Sequence, residues 1–261
     1  MLPRSLSVGL GFLVIGGLAA MSKAQAPKPA EVKVAGTGRV DAHSFGNPSQ
    51  VCVEHLRLFL TVDFDAKILR GEAALRYNRQ AGAPRDAPLV LDTRDLVIDG
   101  VVMPGDPHLD NRLPYTLGKP DAILGAPLSI DVTQAGNEVI VRYHTSPKSS
   151  ALQWVDAPRT AGRRRPFLFS QSQAIHARSW IPCQDSPGVR VTYDATIQVP
   201  SGLTAVMAAD RVSQKGDETI FKMDQPIPSY LIALAVGDLV FKPLGKRTGV
   251  WAEPSVIAKA A

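Results

Sequence analysis

Amides, a histidine, an arginine and an aspartate crowd into residues 167–187. That stretch reads Phe167-Leu168-Phe169-Ser170-Gln171-Ser172-Gln173-Ala174-Ile175-His176-Ala177-Arg178-Ser179-Trp180-Ile181-Pro182-Cys183-Gln184-Asp185-Ser186-Pro187. A glutamine side chain offers both donor and acceptor. Two of them at i, i+2 on an extended chain, as with Gln171 and Gln173, point the same way. Such a pair can line a groove and read a peptide backbone or a free amine. The same composition also fits an ordinary polar strand running into a proline-rich turn, and the residues alone leave both readings open.

Chemistry is sparse elsewhere. The five histidines are His43, His55, His108, His144 and His176. No two are four positions apart and none is followed by Glu, so the HExxH pattern of a zinc-binding helix is absent. There is no G-x-S-x-G elbow, P-loop or G-x-G-x-x-G turn. His55 and His144 fall on the polar faces of candidate strands and read as solvated side chains, not ligands. Cys52 and Cys183 lie in no CxxC or zinc-ligand spacing, so no structural metal is expected. Two cysteines make no disulfide framework, and no bridge is expected. By this inventory the chain holds no catalytic residue and no metal site of its own.

The scaffold that must position the 167–187 stretch reads as all-β. Leu56, Leu58, Leu60, Val62 and Phe64 alternate with His55, Arg57, Thr61 and Asp63, the mark of a half-buried strand. Val189, Val191, Tyr193, Ala195, Ile197 and Val199 alternate with polar residues, and so do Val139, Val141 and Tyr143. Further β-like runs cover 71–78, 89–98, 203–209, 219–223 and 230–241. Turn residues separate them: Gln80-Ala81-Gly82, Asp99-Gly100, Ala135-Gly136-Asn137, Pro200-Ser201-Gly202 and Lys215-Gly216-Asp217. Short strands with turn signals and no helical period indicate a β sandwich. Residues 27–50 are polar and proline-rich and are expected to be loosely ordered. Helix-forming content is confined to 254–261.

The chain is long enough for a substantial core, with 261 residues, 45% hydrophobic and 20% charged. Its start carries Arg4, an uncharged stretch to Ser22 and then Ala24-Gln25-Ala26, the pattern of a secretory signal peptide. An uncleaved anchor is the rival, diluted by Gly9, Gly11, Gly16, Gly17 and serines. Cleavage after Ala20 is an alternative to cleavage after Ala26. Export to the periplasm or the extracellular space is therefore expected, with no stable membrane insertion after signal cleavage. The net charge is +5. Arg4 and Lys23 account for two of those charges and the leader holds no acid, so the remainder is weakly basic. The run Arg163-Arg164-Arg165 lacks the aromatic partners of a nucleic-acid site and reads as a solvated loop. No nucleic-acid partner is expected.

Several blocks resemble one family. Ala151-Leu152-Gln153-Trp154, then Phe169 to His176, then Pro182 to Pro187, follow in order. Pro226-Ile227-Pro228-Ser229-Tyr230-Leu231-Ile232-Ala233-Leu234-Ala235-Val236-Gly237 and Val250-Trp251-Ala252-Glu253 come after them. From about His43 onward the chain is similar to the amino-terminal portion of zinc aminopeptidases of the leukotriene A-4 hydrolase type. That resemblance implies a saddle-like β sandwich of mainly antiparallel strands, truncated before a thermolysin-like catalytic domain. It implies a peptide substrate, with Gln171 and Gln173 lining the first specificity pocket. Gln173 would hold the substrate's free amine and Ala174 would add backbone contacts. The family's zinc would sit in the missing catalytic domain, so no cofactor is expected in this chain. Arg178 and Asp185 match family positions and read as a structural brace.

The expected organisation is a signal peptide at 1–26 and a flexible leader at 27–42. An amino-terminal β domain follows at 43–248, with the start of a link to a catalytic domain at 249–261. Three functions compete: the substrate-recognition domain of an exported zinc aminopeptidase partnered by a catalytic domain or chain, a stand-alone non-catalytic β domain binding peptides or a protein partner, and an inactive gene product. Because the zinc helix and its general base have no counterpart in the sequence, the purified chain supplied with zinc is expected to turn over no aminoacyl reporter. Chelator-sensitive turnover would overturn this.

Overall fold

A computed structural model describes residues 41–105 and 111–260. The expected signal peptide, most of the expected flexible leader and His108 lie outside the described residues. The strands are β1 Val51–Asp63, β2 Ile68–Arg79, β3 Leu89–Thr93, β4 Val97–Val102, β5 Tyr115–Leu117 and β6 Ala126–Ile130. They continue with β7 Glu138–His144, β8 Leu152–Val155, β9 Phe167–Ser170, β10 Arg190–Gln198 and β11 Thr204–Met207. The last five are β12 Asp210–Lys215, β13 Glu218–Pro228, β14 Leu234–Gly237, β15 Val240–Pro243 and β16 Gly249–Ala252. One short helix, α1 Ile257–Ala260, closes the described chain, inside the stretch with helix-forming content.

The strands form a seven-stranded sheet in the order β12-β13-β10-β1-β2-β7-β4 and a four-stranded sheet, β11-β14-β9-β8. A three-stranded sheet, β3-β6-β5, and the β15–β16 hairpin complete the set. The fold is all-β and mainly antiparallel, as expected; the parallel pair is β1 with β10 in the centre of the large sheet.

The period-two patterns bury the face they mark. Leu56, Leu58, Leu60 and Val62 of β1 are buried, as are Val191, Tyr193, Ala195 and Ile197 of β10 and Val139, Val141 and Tyr143 of β7. Val53 is buried as well, three positions before Leu56. A β-bulge between Val53 and His55 supplies the extra residue that resets the alternation. The buried residues of the large and small sheets, with Trp180, Ile181 and Cys183, form one hydrophobic cluster.

Three expectations need correction. The run 89–98 is two strands in different sheets, parted by a turn at which Asp95 takes a positive φ of 56°. Asp99-Gly100 is not a turn but a register shift inside β4. The run 230–241 likewise splits into β14 and β15, again in different sheets. A β-like run marks extended chain, and only neighbouring strands decide which sheet takes each part.

Residues 41–50 also depart from the loose segment expected at 27–50. Ser44 Oγ and the Phe45 amide each donate to the Asp92 carboxylate at 2.6 Å. Asn47 Nδ2 donates to Pro88 O, and Ser186 Oγ donates to Asp41. Polar composition is not looseness when Ser44, Phe45 and Asn47 are tied to β3 and the residues just before it.

Arg178 and Asp185 are the brace that holds this together. Both side chains are essentially fully buried, with Arg178 Nε 2.9 Å from Asp185 Oδ2. Arg178 Nη1 donates to Leu124 O at 2.9 Å and Nη2 donates to His43 O at 2.7 Å. Asp92, also buried, lies 3.6 Å from Arg178 and accepts the Asp185 amide at 2.8 Å. Leu124 can present its carbonyl because Gly125 follows at φ +79°; a Cβ there would lie 2.1 Å from Thr93 O. Gln184, in the same segment, spans β1 beyond the reach of β10. Its Nε2 donates to Val51 O and its Oε1 accepts the Val53 amide.

Breaking a buried pair strands its partner in low dielectric. Arg178→Met leaves Asp185 and Asp92 unpaired and is expected to lower the unfolding free energy by about 3–5 kcal/mol in urea. A loss no larger than that of an exposed pair, about 1 kcal/mol, would show that the pair is not buried in solution.

Candidate substrate-reading bend

The 171–174 segment begins where β9 ends. The Gln171 amide donates to Ala151 O at 2.8 Å, carrying the β8–β9 pairing one step past Ser170. At Ser172 the side chain turns inward and is buried. Its Oγ accepts the Trp180 indole N–H at 3.0 Å and donates to Ile232 O at 3.1 Å. Trp180 is fixed in turn by the core, where the Tyr143 hydroxyl donates to Trp180 O at 2.9 Å. Burial and the loss of water push the Tyr143 phenol well above its usual value, so it stays a donor.

With Ser172 pointing in, Gln171 and Gln173 point out, and both are exposed together with Ala174. The structure thus places all three residues on one exposed bend. The local backbone differs from the extended chain assumed from spacing. After Ser172 the chain turns, the His176 amide donates to Ser172 O at 2.9 Å, and the Gln173–Ala174 peptide is cis. The two amides are also unequal. The Gln173 backbone N–H donates to Gln171 Oε1 at 3.2 Å. The side-chain amide of Gln173 has no hydrogen bond among the described residues, so its donor and acceptor both remain for a ligand.

Arg94 and Ser150 from other parts of the chain, with Ser179 from the same segment, complete the bend. Arg94, from the turn between β3 and β4, lies 2.6 Å from His176 Nδ1 and 2.6 Å from Ser150 Oγ. Ser179 Oγ donates to His176 O and accepts the Ala151 amide. Arg94 and Ser150 had no sequence signal: one sits in a run read as continuous strand, the other in a serine-rich connection. Beside the bend, Phe169 and Leu231 are exposed. Phe169 belongs to the outer face of the four-stranded sheet, where Phe167, Val155, Ala235 and Val206 are partly exposed as well.

The remaining candidates are not sites. His55 and His144 are partnered instead of solvated. His55 Nδ1 is 2.7 Å from Thr192 Oγ1 and its Nε2 is 3.3 Å from Asp194, while His144 Nδ1 is 3.2 Å from Asp99. Cys52 and Cys183 are free, and burial pushes the Cys183 thiol far above its usual value, so it is unreactive. No three of His, Cys, Asp and Glu converge to hold a metal among the described residues. A cleft of about 290 Å³ lies between Tyr77, Arg79 and Asn137, and none of residues 167–187 lines it.

Known proteins share this sequence pattern and fold. Residues 53–231 match the family described as the peptidase M1 N-terminal domain. The chain is 40% identical over 229 residues to leukotriene A-4 hydrolase of Xenopus laevis, covering 83% of this chain and 36% of that protein. It is 34% identical over 214 residues to leucine aminopeptidase 2 of Pyricularia oryzae, covering 78% of this chain and 34% of that protein. The chain therefore spans about a third of the length of these curated relatives. Native yeast leukotriene A-4 hydrolase superposes with a TM-score of 0.78 at 29% identity, covering 87% of this chain and 35% of that one. The M1 zinc metallopeptidase of Deinococcus radiodurans shares the fold, with a TM-score of 0.58 at 20% identity over 80% of this chain and 48% of that one.

Ser172 is the anchor of the bend. Ser172→Ala leaves the Trp180 N–H and Ile232 O without partners, a cost of about 1–3 kcal/mol. The expected outcome is that loss in denaturant unfolding, together with faster amide exchange at Gln171 and Gln173 than in the unaltered chain. Unchanged exchange at both amides would show that the bend does not hang on this hydroxyl.

Proposed function

The chain belongs to the peptidase M1 N-terminal domain family, and from that premise we propose that it is the substrate-recognition portion of an exported zinc aminopeptidase of the leukotriene A-4 hydrolase type. The observation that carries the proposal is the bend at 171–174. A buried, doubly bonded Ser172 forces two glutamines outward, and one of them, Gln173, keeps an unoccupied amide. Its carbonyl oxygen can accept from the ammonium of a peptide's amino end while its N–H₂ donates to the first carbonyl. Exposed backbone at Ala174 extends the same contact.

The described residues do not fit a zinc ion, and the sequence carries no HExxH. The metal and its chemistry are therefore assigned to a catalytic domain or chain that partners this one. The outer face of the four-stranded sheet suits such a partner. Phe169 and Leu231 lie beside the bend, and apolar side chains of this size are seldom left uncovered in a contiguous patch. Export rests on the leader pattern alone.

In a fusion to the catalytic portion of a leukotriene A-4 hydrolase relative, Gln173→Ala is expected to lower kcat/KM for peptide release by ten- to a hundredfold. That corresponds to the loss of one hydrogen bond to a charged amine, about 1.5–3 kcal/mol. Gln198, exposed at the end of β10, serves as the control and should change nothing. Equal kcat/KM for both variants and the unaltered fusion would remove the bend from the substrate site.

A further inference from the structure

His176 closes the bend, and its ring is addressed from one side by a cation. Arg94 Nη2 lies 2.6 Å from His176 Nδ1, 2.6 Å from Ser150 Oγ and 3.2 Å from Ile175 O. Arg94 Nη1 donates to Ile123 O at 2.7 Å, and Ser150 Oγ stands 2.8 Å from the same His176 Nδ1. A guanidinium has donors and no acceptor. His176 Nδ1 must therefore accept, which makes the ring neutral and puts its proton on Nε2. Arg94 Nε is buried without a hydrogen-bond partner, so the guanidinium is oriented by this set of contacts through its two terminal nitrogens. The other charged groups acting on the ring are Arg178 and Asp185.

We propose that His176 is a positioning residue for the 171–174 bend: the Arg94 hydrogen bond to its Nδ1 holds the bend with Gln171 and Gln173 outward, and a proton added at that nitrogen releases it. The backbone makes the link direct. The His176 amide donates to Ser172 O, its carbonyl accepts from Ser179, and Arg94 Nη2 also donates to Ile175 O, so the one guanidinium holds both the ring and the backbone of the turn. Burial, then the Arg94 charge, hold His176 below the usual imidazole value of 6.5. Its bond to Arg94 is intact at neutral pH and is lost as pH falls through that lowered value. The unfolded chain takes up a proton near 6.5 that folded His176 refuses, so stability falls with pH below 6.5 until folded His176 is itself protonated. Resting on the proposed role of the bend, the consequence is an amine-reading segment that works at neutral pH and fails in acid.

The test uses the isotope-labelled 261-residue chain, followed by NMR from about pH 8 to about pH 5, the range in which histidine titrates. At the upper end the His176 ring should be the neutral Nε2–H tautomer. The Gln171 and Gln173 amides should then shift with the same midpoint as the ring, while the Tyr193 amide in β10 stays put. His176→Asn, whose side-chain oxygen can accept from Arg94 in place of Nδ1, should keep the high-pH amide positions throughout. His176→Ala should show the released positions at every pH. A proton on Nδ1, amides that ignore the His176 midpoint, or titration persisting in His176→Asn would each overturn the proposal. Should His176→Ala fail to fold, the unaltered chain and His176→Asn still decide it. None of these readouts involves substrate, so failure here is separate from a null result with Gln173→Ala, which would strike the substrate role alone.

Discussion

A guanidinium fully removed from water needs partners for its N–H groups, and Arg178 finds hydrogen bonds in three separated stretches of chain and an ion pair in a fourth. Asp185 comes from its own segment, Leu124 from the connection before β6 and His43 from the segment before β1, while Asp92 of β3 faces the guanidinium at 3.6 Å. Such a centre is costly to assemble, because each charge loses its hydration before the pair can compensate. Once assembled it fixes geometry that apolar packing would leave free. The carboxylates are tied in turn: Asp92 accepts from Ser44 and Phe45, and Asp185 accepts from Ser229. Burial raises the Asp92 carboxyl, while Arg178 and these donors pull it back toward the charged form.

The exposed bend inherits its position from that centre. Arg178 belongs to the 3-10 turn 177–179, directly after His176 and directly before Trp180, whose indole holds Ser172. The turn also carries Ser179, which gathers Ser149 and Ala151 onto the same spot. Rigid support thus reaches the backbone on both sides of Gln173 while its side chain stays free. In the role proposed for Gln173 this support matters, since little backbone freedom is left to lose on binding.

The four-stranded sheet contributes a different kind of surface. Its inner face, with Leu152, Leu168, Leu234, Val236 and Ala205, belongs to the buried cluster. Its outer face keeps aromatic and aliphatic side chains partly exposed next to the polar bend. A polar bend beside an apolar shelf is consistent with the proposed docking of a catalytic partner against this face.

The sequence determined the strands that alternate cleanly. In β7, β10 and β1 from His55 onward each side chain's face follows from period two, and burial agrees with it. The amide-rich segment stood out by composition, and its similarity to zinc aminopeptidases of the leukotriene A-4 hydrolase type identified the family. Alternation says nothing about which strand lies next to which, so 89–98 and 230–241 read as single runs although each serves two sheets. It also cannot register a bulge, so the change of phase between Val53 and Leu56 had no sequence signature. Only the tertiary structure brought Arg94 and Ser150 to His176, 82 and 26 residues away along the chain. Spacing carries information where neighbours along the chain are neighbours in space; a buried polar centre is built from partners chosen by closure of the fold, and no local pattern encodes that choice.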